Sequence, residues 1–145
     1  MKKISLILIC LFVAFSCSKN DEIINAPLSI ENTTWYKLFN KQQLESAAAD
    51  IIDTSDMNSV ALTFIITSST DFELNSKITT SNSEVNQTHK GTYNYNSSNG
   101  EITFNYKDIS FFNYPNINFF GRNSDKGIIN ENKMILEKTF TFEKQ

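Results

Sequence analysis

Beyond residue 60, apolar side chains recur at every second position. Val60, Leu62, Phe64 and Ile66 fall on one side, followed by Phe72, Leu74 and Ile78, with Glu73, Asn75 and Lys77 opposite. Tyr93 and Tyr95 alternate with Thr92, Asn94 and Asn96, and Ile102, Phe104 and Tyr106 alternate with Glu101, Thr103, Asn105 and Lys107. Successive side chains of a strand point to opposite faces, so this pattern predicts antiparallel strands with one buried and one wet face. Asn96-Ser97-Ser98-Asn99-Gly100 predicts a hairpin whose Asn-Gly supplies positive φ values. Ile109 to Tyr114 and Ile117 to Phe120 continue the set on either side of Pro115-Asn116. Lys126 to Asn130 and Lys133 to Phe142 predict another hairpin around Glu131-Asn132. In the last strand Met134, Leu136, Phe140 and Phe142 share a face that Lys138 interrupts, which predicts a bulge or a lysine reaching past the rim. The stretch 79–88, rich in Ser, Thr and Asn, reads as a long loop or as frayed strand ends.

Upstream, Thr33 to Phe39 is a short aromatic and β-branched strand. The period then changes. Leu44, Ala47, Ala48, Ile51 and Ile52 sit at i, i+3, i+4, i+7 and i+8, one apolar stripe of a helix. Asn40 can cap it, with Gln43 three residues on, and Asp53 to Asp56 ends it. The prediction is therefore an all-β, mainly antiparallel domain: a meander of about eight strands with one short helix between strands 1 and 2. Eight strands can close into a small barrel, which removes exposed edges.

The first residues follow a different rule. Lys2 and Lys3 precede a twelve-residue run, Ile4 to Phe15, that is apolar except for Ser5. A membrane-spanning helix needs about 20 apolar residues, so the run is too short to span and matches a secretory signal. Ala14-Phe15-Ser16-Cys17 resembles a bacterial lipobox, with the small Ser16 before Cys17 and with Ala14 and Phe15 where Leu and a small residue are usual. The resemblance implies cleavage between Ser16 and Cys17 and acylation of Cys17. Ser18-Lys19-Asn20-Asp21-Glu22 resembles the Lys-plus-acidic export signal of Bacteroidota surface lipoproteins, interrupted by Asn20. It implies an outer-membrane protein on the cell surface, with a periplasm-facing anchor as the alternative. Two or more acyl chains give stable anchoring, so Cys17 would join the domain to the membrane. The division expected is a signal peptide at 1–16, a lipidated Cys and flexible tether at 17–32, and a β-barrel domain at 33–145. Residues 18 to 31, fully extended, reach about 46 Å.

Composition narrows the chemistry. The chain has 145 residues, a net charge of −3, 12 Phe and 5 Tyr, but only 4 Gly, 2 Pro and 2 Cys. Loss of Lys2 and Lys3 with the signal takes the charge to −5, which argues against a nucleic-acid partner. Cys10 leaves with the signal and Cys17 carries lipid, so no disulfide and no Cys–His nucleophile are expected. His89 is the one histidine and reads as a solvated residue at a polar strand start. Zinc sites need several His or Cys, and the acidic residues fall on outward strand positions such as Glu73, Glu101 and Glu137. Asp50 to Asp56 lacks the order, the central Gly and the terminal Glu of a calcium loop, and no glycine-rich phosphate loop exists. No enzyme, metal or cofactor is expected.

The strand, helix and meander order resembles the lipocalin-like lipoprotein domains of Bacteroidota. The resemblance is carried by Thr34-Trp35, by the Gly91-Thr92-Tyr93-Asn94-Tyr95 to Ile102-Thr103-Phe104 hairpin, and by Met134-Ile135-Leu136 after Gly127-Ile128-Ile129-Asn130. Thr33 stands where lipocalins carry a Gly. It implies a barrel, and the aromatics motivate a non-catalytic binding module for a small apolar or glycan ligand. Trp35, Phe64, Phe72, Tyr93, Tyr95, Phe104 and Tyr106 could line its cavity or pack it solid. The other reading is an interaction or inhibitor lipoprotein of the envelope with no small ligand. Phe111, Phe112, Tyr114, Phe119 and Phe120 motivate it, since neighbours in a strand face opposite ways and Phe112, Tyr114 and Phe120 would form an outer patch. The anchor has a direct test. Cys17→Ser should abolish metabolic labelling by a palmitate analogue; a labelled variant would exclude Cys17 as the acylated residue.

Overall fold

The computed structural model describes residues 24–48, 55–107 and 124–145. Eight antiparallel strands close into a barrel in sequence order: β1 (Thr34–Asn40), β2 (Met57–Ile66), β3 (Asp71–Thr80), β4 (Glu84–Asn96), β5 (Glu101–Tyr106), β6 (Ser124–Asn130), β7 (Lys133–Leu136) and β8 (Phe140–Lys144). One helix, α1 (Lys41–Ala48), lies between β1 and β2. This is the all-β meander barrel that the alternation predicts. The seam is short: β1 meets β8 only at Trp35↔Lys144 and Tyr36↔Glu143.

The helix starts where its cap residues place it. Asn40 Oδ1 accepts from the Gln43 backbone N–H at 2.9 Å, and the Asn40 N–H donates to Gln43 Oε1 at 3.1 Å. This reciprocal box satisfies two donors that a helix start leaves open. Leu44 is buried against the barrel. Ile51 and Ile52 of the expected stripe lie outside the described residues, as do the expected strands at 109–114 and 117–120.

Two differences from the sequence reading have local causes. The stretch 79–88 is not a long loop: β3 runs to Thr80, β4 starts at Glu84, and Ser81 to Ser83 make the turn. Thr80 Oγ1 accepts from the Asn82 and Ser83 N–H groups, so the turn is held by side chains. The span 133–142 is two strands, not one bulged strand. Glu137 (φ 49°) and Lys138 (φ 62°) both take left-handed backbone, and the Thr139 N–H donates to the Leu136 carbonyl. In the β4–β5 turn Gly100 supplies a positive φ of 72°, whereas Asn99 does not.

The connections divide the barrel into two poles. Turns 67–70, 97–100 and 131–132 lie at one, and α1 with turns 81–83 and 137–139 lies at the other. Residues 25–33 cross the first pole as a strap. Asn25 bonds the β6–β7 turn through Asn130 Oδ1 and Glu131 Oε1, Pro27 accepts from the Tyr95 hydroxyl, and the Asn32 N–H donates to the Ile66 carbonyl. Ile30 is buried beneath it, and Trp35 Nε1 donates to Thr33 Oγ1 at 2.9 Å. The fold thus begins earlier than the tether reading of 18–31 supposes.

The β7–β8 turn yields a prediction. A left-handed conformation costs an L-residue with a Cβ about 1–2 kcal/mol, which glycine largely avoids. Lys138→Gly should therefore raise stability by about 1 kcal/mol in urea unfolding. A loss would show that the lysine side chain holds the turn.

Candidate functional site

All seven aromatics proposed to line a cavity pack into the barrel or close its strap end. Phe64 on β2 lies 4.7 Å from Phe104 on β5, 5.8 Å from Phe72 on β3 and 5.3 Å from Phe142 on β8, between ring centroids. Phe72 and Phe104 are 4.7 Å apart, edge to face. Rings from opposite walls meet, so this part of the interior is filled. Trp35 is buried beside it, opposite Phe64 in register. Gly91 makes room for the packing: a Cβ there would fall 2.5 Å from the Phe72 ring and 2.3 Å from the Asn105 carbonyl oxygen.

The tyrosine hydroxyls bond to the protein itself. Tyr93 donates to the Ser68 carbonyl at 2.8 Å and Tyr95 to the Pro27 carbonyl at 2.7 Å. Burial raises the pKa of both phenols. Tyr106 stands at the edge of the cluster, 5.5 Å from Phe72, and donates to Asp125 Oδ2. Both members of this pair are buried. Burial first, then the Asp125 charge and hydrogen bond, hold the Tyr106 phenol well above its ordinary value of 10.0.

Toward the helix pole the interior changes character. Cross-strand register places Leu74 opposite His89, Ser76 opposite Gln87, and Ile78 opposite Val85. On the other side of β3, Ser76 faces Leu62 and Ile78 faces Val60. Ser76 is only 2% exposed, and its Oγ has no hydrogen-bond partner among the described residues; nor has the buried Gln87 Oε1. Two buried polar atoms thus belong to facing residues of one strand pair, with Leu62, Ile78 and Val85 as register neighbours.

His89 departs from its reading as a solvated residue: it is 7% exposed and faces inward. Its signal was the period of two. Counted back from Tyr95 and Tyr93, the same face passes through Gly91, His89, Gln87 and Val85, and polar identity masked it. Glu73 does face outward, where it pairs with Lys90 at 2.9 Å, beside the Lys77–Glu84 pair on the same wall. An open groove of about 360 Å³ lies where α1 meets β1 and β8, lined by Lys37, Phe39, Gln42, Gln43, Ser46 and Phe140 among others. No group of three or more His, Cys, Asp or Glu among the described residues is placed to hold a metal ion. Ser16, Cys17 and the patch of Phe112, Tyr114 and Phe120 lie outside the described residues.

Tyr106 gives a test of the buried pair. Tyr106→Phe removes the donor to Asp125 and should cost about 1–3 kcal/mol at neutral pH. Because the folded phenol titrates above the unfolded one, its contribution is whole below about pH 10 and fades as pH rises through the folded value. Urea unfolding across pH 9–11 should show the parent losing stability more steeply than Tyr106→Phe. Parallel curves would mean that the phenol ionises as freely as in the unfolded chain.

No protein-family model, no curated protein and no solved structure matches this chain.

Proposed function

We propose that the protein is a lipid-anchored, non-catalytic binding module of the bacterial outer membrane, displayed at the cell surface. Its ligand is a small, mainly apolar molecule bearing hydroxyl or carbonyl groups, of which a glycan-bearing lipid is one example. The signal run, the lipobox-like Ala14 to Cys17 and the following Ser18 to Glu22 support the anchor and its address. The absence of a cysteine after position 17 and the single histidine support binding over catalysis.

One observation carries the ligand reading: Ser76 and Gln87 face each other in register, and Ser76 Oγ and Gln87 Oε1 are both buried without partners among the described residues. Leaving such an atom unsatisfied costs about 1–3 kcal/mol, and a fold has no structural use for two of them in one cross-strand pair. A ligand hydroxyl would bond both. The aliphatic side chains around them supply the apolar wall and the polar pair supplies orientation, the usual division of labour in a small-molecule site. This reading puts the binding region at the helix pole. The aromatic cluster serves as its floor, with Phe72 and Tyr106 both opposite Gly91, two residues from His89 on β4.

Ser76→Ala separates a ligand-binding role from a structural one. It removes an unpaired buried hydroxyl, so thermal unfolding should show a gain of about 1 kcal/mol. Native mass spectrometry of residues 18–145 should show capture from a panel of lipids, acylated sugars and free glycans in the parent and weakened capture in Ser76→Ala and Gln87→Leu. Equal capture by all three proteins, or none by the parent, would overturn the reading.

A further inference from the structure

We infer that the strap pole of the barrel rests on the lipid bilayer and that Leu28 enters it, an inference that rests on acylation of Cys17 as proposed above. Four large apolar side chains are prominently exposed among the described residues: Ile24 (37%), Leu28 (92%), Leu38 (49%) and Ile128. A single exposed leucine is ordinary. Leu28 differs in how it is held. Pro27 before it accepts from Tyr95, Ser29 after it accepts the Glu31 N–H, and Ile30 is buried in the barrel end. The strap is therefore pinned on both sides of Leu28, and its side chain is held outward at this pole. Ile24 belongs to the same strap, where its Cγ2 approaches Gly100.

The chain outside the structure supplies the occupant. It leaves the strap at Ile24, and residues 18–23 separate that point from Cys17. The seven residue steps from Cys17 to Ile24 span at most about 23–25 Å. The ten-residue strands β2 and β3 run about 33 Å, which a barrel tilt near 40° reduces to about 25 Å of axial height. A linker from the strap pole to the helix pole would have to run fully stretched along the wall. Joined to a lipidated Cys17, the strap pole is the end that meets the bilayer. Among the described residues the exposed charges at this pole are mixed, Glu31, Glu131 and Glu143 with Lys133 and Lys144, so no patch of one sign surrounds Leu28. The contact is apolar, and an uncharged phospholipid surface is the partner it fits. The helix pole, with Ser76, Gln87 and His89 inside it, then faces away from the membrane.

The test uses the full-length chain, produced in a bacterium that processes lipoproteins, with acylation of Cys17 read by mass spectrometry of the N-terminal peptide. Acylated protein is reconstituted into phosphatidylcholine vesicles whose chains are brominated near the headgroup. Tryptophan is introduced as Leu28→Trp or, on the outer wall of β1, as Leu38→Trp, and the emission of buried Trp35 in the parent is subtracted. The expected result is a blue-shifted, strongly quenched Leu28→Trp and an unquenched Leu38→Trp. An acylated, vesicle-bound Leu28→Trp that keeps its emission overturns the contact and leaves the anchor standing. Quenching of Leu38→Trp instead would mean that the barrel lies on its side, which also overturns it. A Cys17 without acyl chains overturns the anchor itself, and the bilayer contact falls with it.

Discussion

Phenylalanine rings that reach across the barrel axis fix this structure. An eight-stranded barrel encloses a space just wide enough for side chains to fill. Phe64 fills it by touching rings from three other strands, β3, β5 and β8. A slip of one residue in any of these strands would turn its ring to solvent, so the cluster sets register on several walls at once. Strand pairing alone, with its polar outer face of Thr, Asn and paired Lys and Glu, would not choose between registers so sharply.

With one half of the barrel filled, the other half is free to differ. The strap closes the filled half through backbone bonds and the buried Ile30. At the opposite pole the same strands carry Ser76, Gln87 and His89 inward. The polarity of the interior therefore changes along the axis of the barrel. The aromatic core holds the fold at one end, and the buried polar residues sit at the other.

Much of this was readable in the residues. Alternation from Val60 to Tyr106 placed β2, β3, β5 and the second half of β4 with their inward faces, and Asn40 with Gln43 marked the helix start. What escaped had physical reasons. His89 and Gln87 are polar, and the eye assigns polar residues to the wet face even when the period puts them inside. The β7–β8 turn lacks any glycine or asparagine, because Glu137 and Lys138 take the left-handed positions that such residues normally signal. The strap resembled a linker, since its attachments are made by backbone groups and by partners more than sixty residues away, such as Tyr95. Of the aromatics, identity and burial were legible, but whether they would line a space or fill it depended on rings meeting across the axis, which no single strand encodes.

The seam between β1 and β8 has a consequence in time. Its two residue pairs, Trp35↔Lys144 and Tyr36↔Glu143, join strands more than a hundred residues apart in sequence. The other strand pairs are neighbours in the chain and can form as soon as each hairpin is made. Until residues 140–144 arrive, β1 and β7 present open edges, the kind that pair with other chains. For the time the chain takes to be completed, the incomplete barrel is the species most in need of a chaperone, and its final five-residue strand ends that exposure.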